Sequence, residues 1–208
     1  MKNRLSGPFT AASPLVLASG SPRRRELLSD LGLEFHVEPS PLPEPAPLPG
    51  EAASDYARRM AELKTRDVAA RFPDSTVLGA DTIVVLDGAI MGKPKDANDA
   101  LAMLSRLSGR THQVVTGFTV ILPDGATVSQ SVSTDVDMRV SGEAELKSYV
   151  ATGEPMDKAG AYAIQGVGTF LVTAIRGSYT NVVGLPVARV LEILLDRNVV
   201  IPRSGLAG

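Results

Sequence analysis

A pair of long strand patterns around a tight turn constrains the fold of this chain most. The segments THQVVTGFTVIL and ATVSQSVSTDVDMRV surround the turn sequence Pro123-Asp124-Gly125, which predicts a long antiparallel β-hairpin. Elsewhere along the chain, helical and strand patterns alternate, as they do when helices pack on a sheet. A hairpin inserted into such an alternation indicates a mixed sheet, so we expect a fold of the α/β class (mixed α+β).

The remaining elements follow from periodicity and from helix start and stop signals. A short apolar strand at 14–19 leads into a helix with Ser21 as its N-cap and Pro22 as its first residue, which Gly32 ends. The other predictions are a helix over 51–71, a buried strand over 75–88 with a turn at Asp87-Gly88, and helices beginning at Asp96, Ser141 and Pro186. In the last of these helices, four residues have the spacing of a core-facing stripe, namely Val187, Val190, Leu191 and Leu194.

The domain organisation depends on a proline-rich stretch, PSPLPEPAPLPG at 39–50. Proline at nearly every second position excludes a helix or a central strand and predicts an extended loop. A linker between domains has the same composition, but the segment before it is too short to be a domain. We therefore expect a loop inside one domain, in keeping with a length of 208 residues.

Composition excludes several classes of protein. Twenty-one Lys and Arg against 23 Asp and Glu give a net charge of −2, which argues against a protein that coats nucleic acid or an anionic membrane. The absence of cysteine excludes disulfides, thiolate metal sites and a cysteine nucleophile. The N-terminal segment is basic but has no apolar run long enough for a signal peptide or a membrane span. We expect a cytoplasmic protein.

The stretch LASGSPRRRELL, residues 17–28, contains three consecutive arginines at a predicted helix start. The N-terminal end of a helix already carries partial positive charge, so Arg23, Arg24 and Arg25 have the wrong sign there for stability. A strand, a Ser-Gly-Ser turn and a helix start direct backbone N–H groups and hydroxyls toward one point, as phosphate-binding loops do. The stretch predicts an anion site, although arginines that extend into solvent would produce the same pattern.

A carboxylate in an apolar run is the second chemical signal. Asp81 interrupts the run VLGADTIVVL, and a buried carboxylate is unfavourable unless a cation or hydrogen-bond donors meet it. Taken alone, Asp81 suits a turn cap as well as a metal ligand or a general base. Lys64 and Lys93 are candidate cations for this region, while each by itself also fits a solvated surface charge.

Three long motifs together resemble the Maf family of nucleotide pyrophosphatases. They are LASGSPRRRELLSDLGL, VLGADTIVVLDGAIMGKPKDANDA and EPMDKAGAYAIQGVGTFLVTAIRGSYTNVVGLPV, and they occur in the family's order and spacing. The resemblance runs from about residue 15 to about residue 195. It implies one domain over 15–201, with an N-terminal extension at 1–14 and a C-terminal tail at 202–208. It also implies an elongated, inosine-triphosphatase-like fold whose central mixed sheet forms a cleft, and a homodimer.

The resemblance implies hydrolysis of a nucleoside triphosphate between the α- and β-phosphates, with a divalent metal, Mg²⁺ or Mn²⁺. By motif, Ser19, Arg24, Lys64 and Lys93 would hold the triphosphate, while Glu44 and Asp81 would bind the metal. Asp81 would also be the base that takes a proton from water. The family usually has an acidic pair where this chain has Pro43-Glu44-Pro45, so Glu38 and Glu51 remain alternatives for the role of Glu44.

Base selectivity depends on three further positions within the resemblance. Arg23, Thr82 and Gln165 match the branch of the family that acts on dTTP and UTP, whereas the branch that acts on 7-methyl-GTP differs at all three and has glutamate in place of the glutamine. The Gln165 amide has an acceptor for N3–H and a donor for O4 of uracil or thymine. A rotated amide would also match cytosine, so CTP stays open.

Two other functions remain as alternatives at this stage. The family name derives from a proposed role in septum formation, so a nucleotide-binding regulator is one of them. A pure binder needs cations but has no use for a buried base such as Asp81. A nucleic-acid-binding protein is the other, and the net charge together with only nine aromatic side chains argues against it.

Overall fold

The structure is a computed structural model that describes residues 7–203. Its centre is a seven-stranded sheet in the order β3-β2-β4-β6-β7-β8, with β5 paired to part of β4, and a separate two-stranded sheet joins β1 to β9. The strands are β1 (Phe9–Ala11), β2 (Leu15–Leu17), β3 (His36–Val37), β4 (Thr76–Leu86), β5 (Ala89–Met91), β6 (Thr111–Ile121), β7 (Thr127–Met138), β8 (Val172–Arg176) and β9 (Val200–Pro202).

Strand directions confirm the mixed sheet. Strand β2 runs parallel to both β3 and β4, while β4, β6, β7 and β8 pair antiparallel in succession. The predicted hairpin is β6 and β7, which stay in register from Thr111↔Asp137 to Ile121↔Thr127. The sheet therefore combines a parallel half, which needs helical crossovers, with an antiparallel half built from direct turns.

Six α-helices accompany the sheet: α1 (Pro22–Asp30), α2 (Ala53–Ala69), α3 (Ala97–Leu107), α4 (Glu143–Ala151), α5 (Tyr179–Val183) and α6 (Val187–Asp196). All five predicted helix starts are confirmed within two residues, and residues 39–48 form the extended loop that the prolines predict. The prediction of Ser141 as the start of a helix is off by one position. Gly142 is the N-cap of α4, because Glu145 accepts a hydrogen bond from the backbone N–H of Gly142.

Two large apolar clusters lie side by side on one face of the sheet, and smaller clusters pack against α2 on the opposite face. One contains Leu17, Phe118 and Leu194 and lies under α1 and α6. Another contains Leu104, Val136 and Tyr149 and lies under α3 and α4. Of the predicted stripe on α6, Val190 and Leu194 are buried, while Val187 and Leu191 pack at its margin.

Helix α2 lies very close to the sheet because two glycines make room for it. A Cβ on Gly79 would come within 2.1 Å of the Thr65 Oγ1 atom, and one on Gly117 within 2.3 Å of the Ala57 backbone. Gly79 belongs to β4 and Gly117 to β6, so the helix crosses the middle of the sheet. This close approach brings Lys64 of α2 over β4.

One edge of β4 is only partly paired. Its first residues pair with β2 as far as Leu78, and its last residues pair with β5 from Val84 onward. The intervening segment, residues 79–83, has no strand partner on that side within residues 7–203, and it contains Asp81 and Thr82. A gap in a sheet exposes backbone and side chains from both faces at one place, and the candidate site lies at this gap.

The segments that we expected to lie outside the domain are partly described. Strand β1, from the expected extension at 1–14, pairs antiparallel with β9 near the other end of the domain. Residues 1–6 and 204–208 lie outside the described residues.

Candidate nucleotide-binding cavity

A cavity of about 580 Å³ opens beside the gap in the sheet. All nine residues that the sequence and the family resemblance assign to the site line it, and they come from six separate stretches of chain: Ser19, Arg23, Arg24, Glu44, Lys64, Asp81, Thr82, Lys93 and Gln165. Five cationic and three carboxylate side chains face this space, which gives it net positive charge. Such a cavity suits a polyanionic ligand.

Arg24 is the most highly connected of the three arginines. Its Nε donates to the Gly184 carbonyl oxygen at 2.7 Å, one terminal nitrogen donates to Ser19 Oγ at 3.0 Å, and the other donates to Thr82 Oγ1 at 3.0 Å. Burial lowers the pKa of Arg24, and the charge of Asp81 opposes that shift. The guanidinium thus joins the helix start to β4 and to the end of α5.

The neighbouring arginines have different environments. Arg23 is half-buried and lines the cavity, whereas Arg25 is exposed and does not line it. The side chains on successive residues of a helix point in different directions, so three consecutive arginines cannot all face one site. The anion-site interpretation therefore suits Arg23 and Arg24, and the solvent-facing alternative describes Arg25.

Lys64 lies between two carboxylates. Its Nζ donates to Glu44 Oε1 at 2.5 Å and to Asp81 Oδ1 at 2.7 Å. Burial would lower the pKa of Lys64, but the charge of Asp81 and hydrogen bonds to both carboxylates outweigh it and raise that pKa. For Glu44, burial would raise the pKa, but the hydrogen bond and charge of Lys64 lower it.

The three acidic candidates in the proline-rich region have different partners. Glu44 lines the cavity, while Glu38 pairs with Arg71, and Glu51 accepts hydrogen bonds from Arg59 at 2.6 and 2.7 Å. The prolines around Glu44 therefore leave it in the cavity, and neither alternative takes its place there.

The donor set suits a hard cation only in part. Glu44 and Asp81 both lie within hydrogen-bond distance of one ammonium nitrogen, so a single cation can reach both carboxylates. Within residues 7–203 there is no group of three or more His, Cys, Asp or Glu side chains that could hold a metal. Mg²⁺ commonly takes one or two carboxylates and completes its coordination with phosphate oxygens and water. A metal here would require the ligand's own oxygens.

Thr82 and Gln165 occupy different surroundings. Thr82 Oγ1 lies 2.9 Å from Thr116 Oγ1, in addition to its bond from Arg24. Gln165 is half-buried and lines the cavity, and no hydrogen bond to its side chain is found among the residues that the structure describes. The amide is therefore available to a ligand, whereas the threonine hydroxyl is already engaged.

Sequence reasoning missed several residues of the cavity. Lys158, Asp157, Tyr56 and Tyr162 line it, and Lys158 forms an ion pair with Asp157. Two of them are the Asp-Lys pair in the motif EPMDKAGAYAIQG, which was the available signal. The segment GSYTNVVGLP of the third motif contributes Val182, Val183 and Gly184.

The fold is that of a mixed α/β protein, and the net positive charge of its cavity suits a phosphorylated ligand. The profile of the family described as Maf-like protein matches residues 14–197. The chain belongs to the Maf family, which confirms the resemblance seen in its motifs.

Similar proteins cover almost the whole chain. A dTTP/UTP pyrophosphatase of Nitratidesulfovibrio vulgaris is 53% identical over 195 residues, which are 94% of this chain and 93% of that protein. One from Oleidesulfovibrio alaskensis is 52% identical over 203 residues, or 97% and 93% of the two chains. A solved nucleoside-triphosphatase / dITP/XTP pyrophosphatase from Mycobacterium abscessus matches 60% of this chain and 74% of its own, with 19% identity and a TM-score of 0.41. That likeness is too low to inform the site.

Proposed function

We propose that this protein hydrolyses dTTP and UTP to the monophosphate and pyrophosphate. The observation that carries the proposal is the convergence of cations and two carboxylates on one cavity beside an unengaged glutamine amide. The names of relatives about 50% identical over nearly the full chain support the same substrates. A site for 7-methyl-GTP is not favoured, because those relatives are named for pyrimidine nucleotides.

The triphosphate would lie at the end of the cavity formed by the start of α1, with Arg24 and Ser19 on one side and Lys64 and Lys93 on the other. Phosphoryl transfer requires positive groups spread over the phosphate oxygens, and these four residues provide a hydroxyl and three cations. Arg23 would lie between the phosphates and the base.

Asp81 is proposed as the general base. Its Oδ1 accepts from Lys64, and among residues 7–203 no hydrogen bond to its Oδ2 is found. Oδ2 would accept a proton from water as the water oxygen attacks the α-phosphorus. The bond from that phosphorus to the bridging oxygen then breaks, and pyrophosphate leaves with the bond's electron pair.

Glu44 and Asp81 would hold a divalent metal, Mg²⁺ or Mn²⁺. The cation would neutralise charge on the phosphate oxygens, which carboxylates on their own would repel. Lys64 supplies a positive charge to the same two carboxylates in the structure, so binding of the metal with its substrate would reorganise this group.

Gln165 is proposed to read the base, together with Arg23 and Thr82. Its amide would accept from N3–H and donate to O4 of uracil or thymine. The engagement of Thr82 with Arg24 and Thr116 suggests that the threonine acts by fixing Arg24, which would hold the phosphates relative to the base, rather than by a direct bond to the base.

Location and assembly are further proposals. None of the helices in the described part of the chain is long and apolar enough to cross a membrane. We propose action in the cytoplasm, as a homodimer, on a small nucleotide rather than on a nucleic acid.

The test is pyrophosphate release from dTTP, UTP, CTP, GTP and 7-methyl-GTP with Mg²⁺ or Mn²⁺. The expected result is metal-dependent turnover that is highest with dTTP and UTP. No turnover of any nucleotide would reject the enzymatic function, and a preference for 7-methyl-GTP would reject the pyrimidine assignment.

A further inference from the structure

The segment that carries Gln165, residues 163–168, is here called the base loop. It leaves the strand-like backbone of Tyr162 and enters a 3₁₀ turn at Val167. No hydrogen bond to the Gln165 side chain is found within the described residues, so the position of its amide depends on the backbone of this loop. Whatever holds that backbone determines where the amide points.

Glu154 holds one side of the base loop. It lies in a different element, the 3₁₀ turn Glu154–Asp157. Its Oε1 accepts from the Val167 backbone N–H at 2.9 Å, and its Oε2 accepts from the Gly168 backbone N–H at 2.8 Å. These two amides follow Gln165 closely in the chain, so a single carboxylate fixes the backbone just after it.

Tyr149 extends this attachment to the other side of the loop. Its hydroxyl donates to Glu154 Oε2 at 2.7 Å and accepts from the Ala163 backbone N–H at 3.1 Å. Ala163 precedes Gln165 by two residues. The pair Glu154 and Tyr149 therefore binds the backbone on both sides of the glutamine.

The loop is shaped closely around these two side chains. Gly166 has a φ of +86°, and a Cβ there would lie 2.2 Å from Glu154 Oε1. A Cβ on Gly168 would lie 2.5 Å from the Tyr149 hydroxyl and 2.5 Å from the Ala163 carbonyl oxygen. Gly166 thus allows the loop to approach the Glu154 carboxylate, and Gly168 allows it to approach the Tyr149 hydroxyl.

The charge state of Glu154 suits three donors. Partial burial would raise its pKa, but hydrogen bonds from Tyr149 and the two backbone amides lower it below the ordinary value. An ionised carboxylate accepts at both oxygens and donates at neither, which matches its three partners.

We propose that Glu154 is a positioning residue for base selection, which orients Gln165 by holding the base loop in place with Tyr149. This inference rests on the proposed reading of the base by Gln165. Glu154 is absent from the residues that line the cavity, so it acts through the loop and not on the nucleotide.

The test begins with Glu154→Gln. A neutral amide has a single acceptor oxygen, so at least one of the two backbone N–H groups loses its partner while side-chain size is kept. Steady-state rates are measured with dTTP, UTP and CTP. We expect kcat/KM for dTTP and UTP to fall about tenfold, mainly through KM, and their preference over CTP to narrow.

A double-mutant cycle separates positioning from general damage. In a Gln165→Ala background, Glu154→Gln should have little further effect on kcat/KM for dTTP, because the group that it positions is already gone. The matched control is Asp124→Asn, which changes a carboxylate that accepts the Ala126 N–H in the hairpin turn. That variant should keep the wild-type substrate ranking.

A second variant keeps the test decisive if Glu154→Gln fails to fold. Tyr149→Phe removes the acceptor of the Ala163 N–H and leaves both amide bonds to Glu154 possible, so it should narrow the same preference. The inference is overturned if a folded variant keeps the wild-type preference, or lowers turnover of every nucleotide equally. It is also overturned if Glu154→Gln lowers kcat/KM for dTTP by the same factor in the Gln165→Ala background as in the wild-type protein. Failure of the wild-type protein to hydrolyse dTTP or UTP would instead reject the proposed function.

Discussion

The two ends of the cavity are organised in opposite ways. At the phosphate end, Arg24, Lys64 and Asp81 are bonded to one another or to neighbouring side chains. At the base end, the Gln165 side chain has no hydrogen-bond partner among the described residues, and Glu154 holds the backbone of the base loop just after it. At one end the buried charges are already paired and the exposed Lys93 has no partner among the described residues, while the other end presents an open amide on a fixed loop.

This difference indicates how one cavity can divide phosphate cleavage and base selection between its two ends. Charged groups in a partly buried site must be paired when the ligand is absent, because an isolated buried charge is unfavourable. A neutral amide in a half-exposed position needs no partner in the protein, so it can remain unpaired until a ligand binds. Substitutions at the phosphate end should therefore affect every substrate, and those at the base end should change the order of substrates.

Asp81→Asn should have the largest effect on turnover, and it tests the role of the phosphate end. Asparagine keeps the size of the side chain but removes basicity and weakens metal binding. We expect pyrophosphate release to fall by about a hundredfold to ten-thousandfold for all substrates. Circular dichroism should confirm the fold, and activity within a few-fold of wild type would exclude the proposed role of Asp81.

Arg24→Lys should have the next largest effect, with Arg25→Lys as its matched control. Lysine cannot donate at once to Gly184, Ser19 and Thr82 as the forked guanidinium does. We expect kcat/KM to fall roughly a hundredfold for Arg24→Lys, equally for each nucleotide. The exposed Arg25 should tolerate the same change, and equal losses in the two variants would contradict the assignment.

Gln165→Glu should change the substrate preference that the base end sets. One donor to O4 is lost, and a negative charge faces two carbonyl oxygens of the base. A mispaired polar group costs about 1 to 3 kcal/mol, so kcat/KM for dTTP and UTP should fall about tenfold to a hundredfold. Rates for dTTP, CTP and 7-methyl-GTP should change rank, and an unchanged ranking would exclude Gln165 as the reader of the base.

A pH experiment tests, through folding stability, a neutral buried group packed behind Tyr162 of the cavity wall. His112 is buried against the Tyr162 hydroxyl at 2.7 Å, and burial lowers the pKa of His112 from 6.5 to about 4. The unfolded chain thus binds a proton at a higher pH than the native protein does. Stability from this residue is complete above pH 6.5 and declines as the pH falls to about 4.

The change is on the order of 2 to 3 kcal/mol across that range. Urea unfolding of wild type and His112→Gln at pH 7, 5.5 and 4 measures it. The gap between the two proteins should close on acidification, and parallel pH profiles would contradict a neutral buried histidine.

Much of the fold was predictable because long periodic segments dominate it. Strand β4 and the β6–β7 hairpin follow from apolar and β-branched runs, and five of the six α-helices follow from periodicity and start signals, whereas the short α5 was not predicted. The short strands β1, β3, β5, β8 and β9 were not predicted. A strand of two to five residues leaves too few positions for a period to show, and its pairing depends on distant parts of the chain.

The cavity was predictable in its members but not in its contacts. Residue types and motif likeness brought Arg24, Lys64 and Asp81 together, yet nothing in the sequence indicates that Lys64 bridges two carboxylates. The role inferred for Glu154 was equally hidden, since a glutamate after Gly153 suits a solvated turn. Its partners are backbone amides, which every residue has, so no residue type marks them.

The proposal that one end of the cavity cleaves and the other selects the base is tested most directly with a panel of substrates. Pyrophosphate release from dTTP, UTP, CTP and 7-methyl-GTP is measured for wild type, Arg24→Lys and Gln165→Glu. We expect Arg24→Lys to lower all rates by a common factor and keep their order, and Gln165→Glu to change the order. A reordering by Arg24→Lys, or a uniform loss in Gln165→Glu, would contradict the proposal.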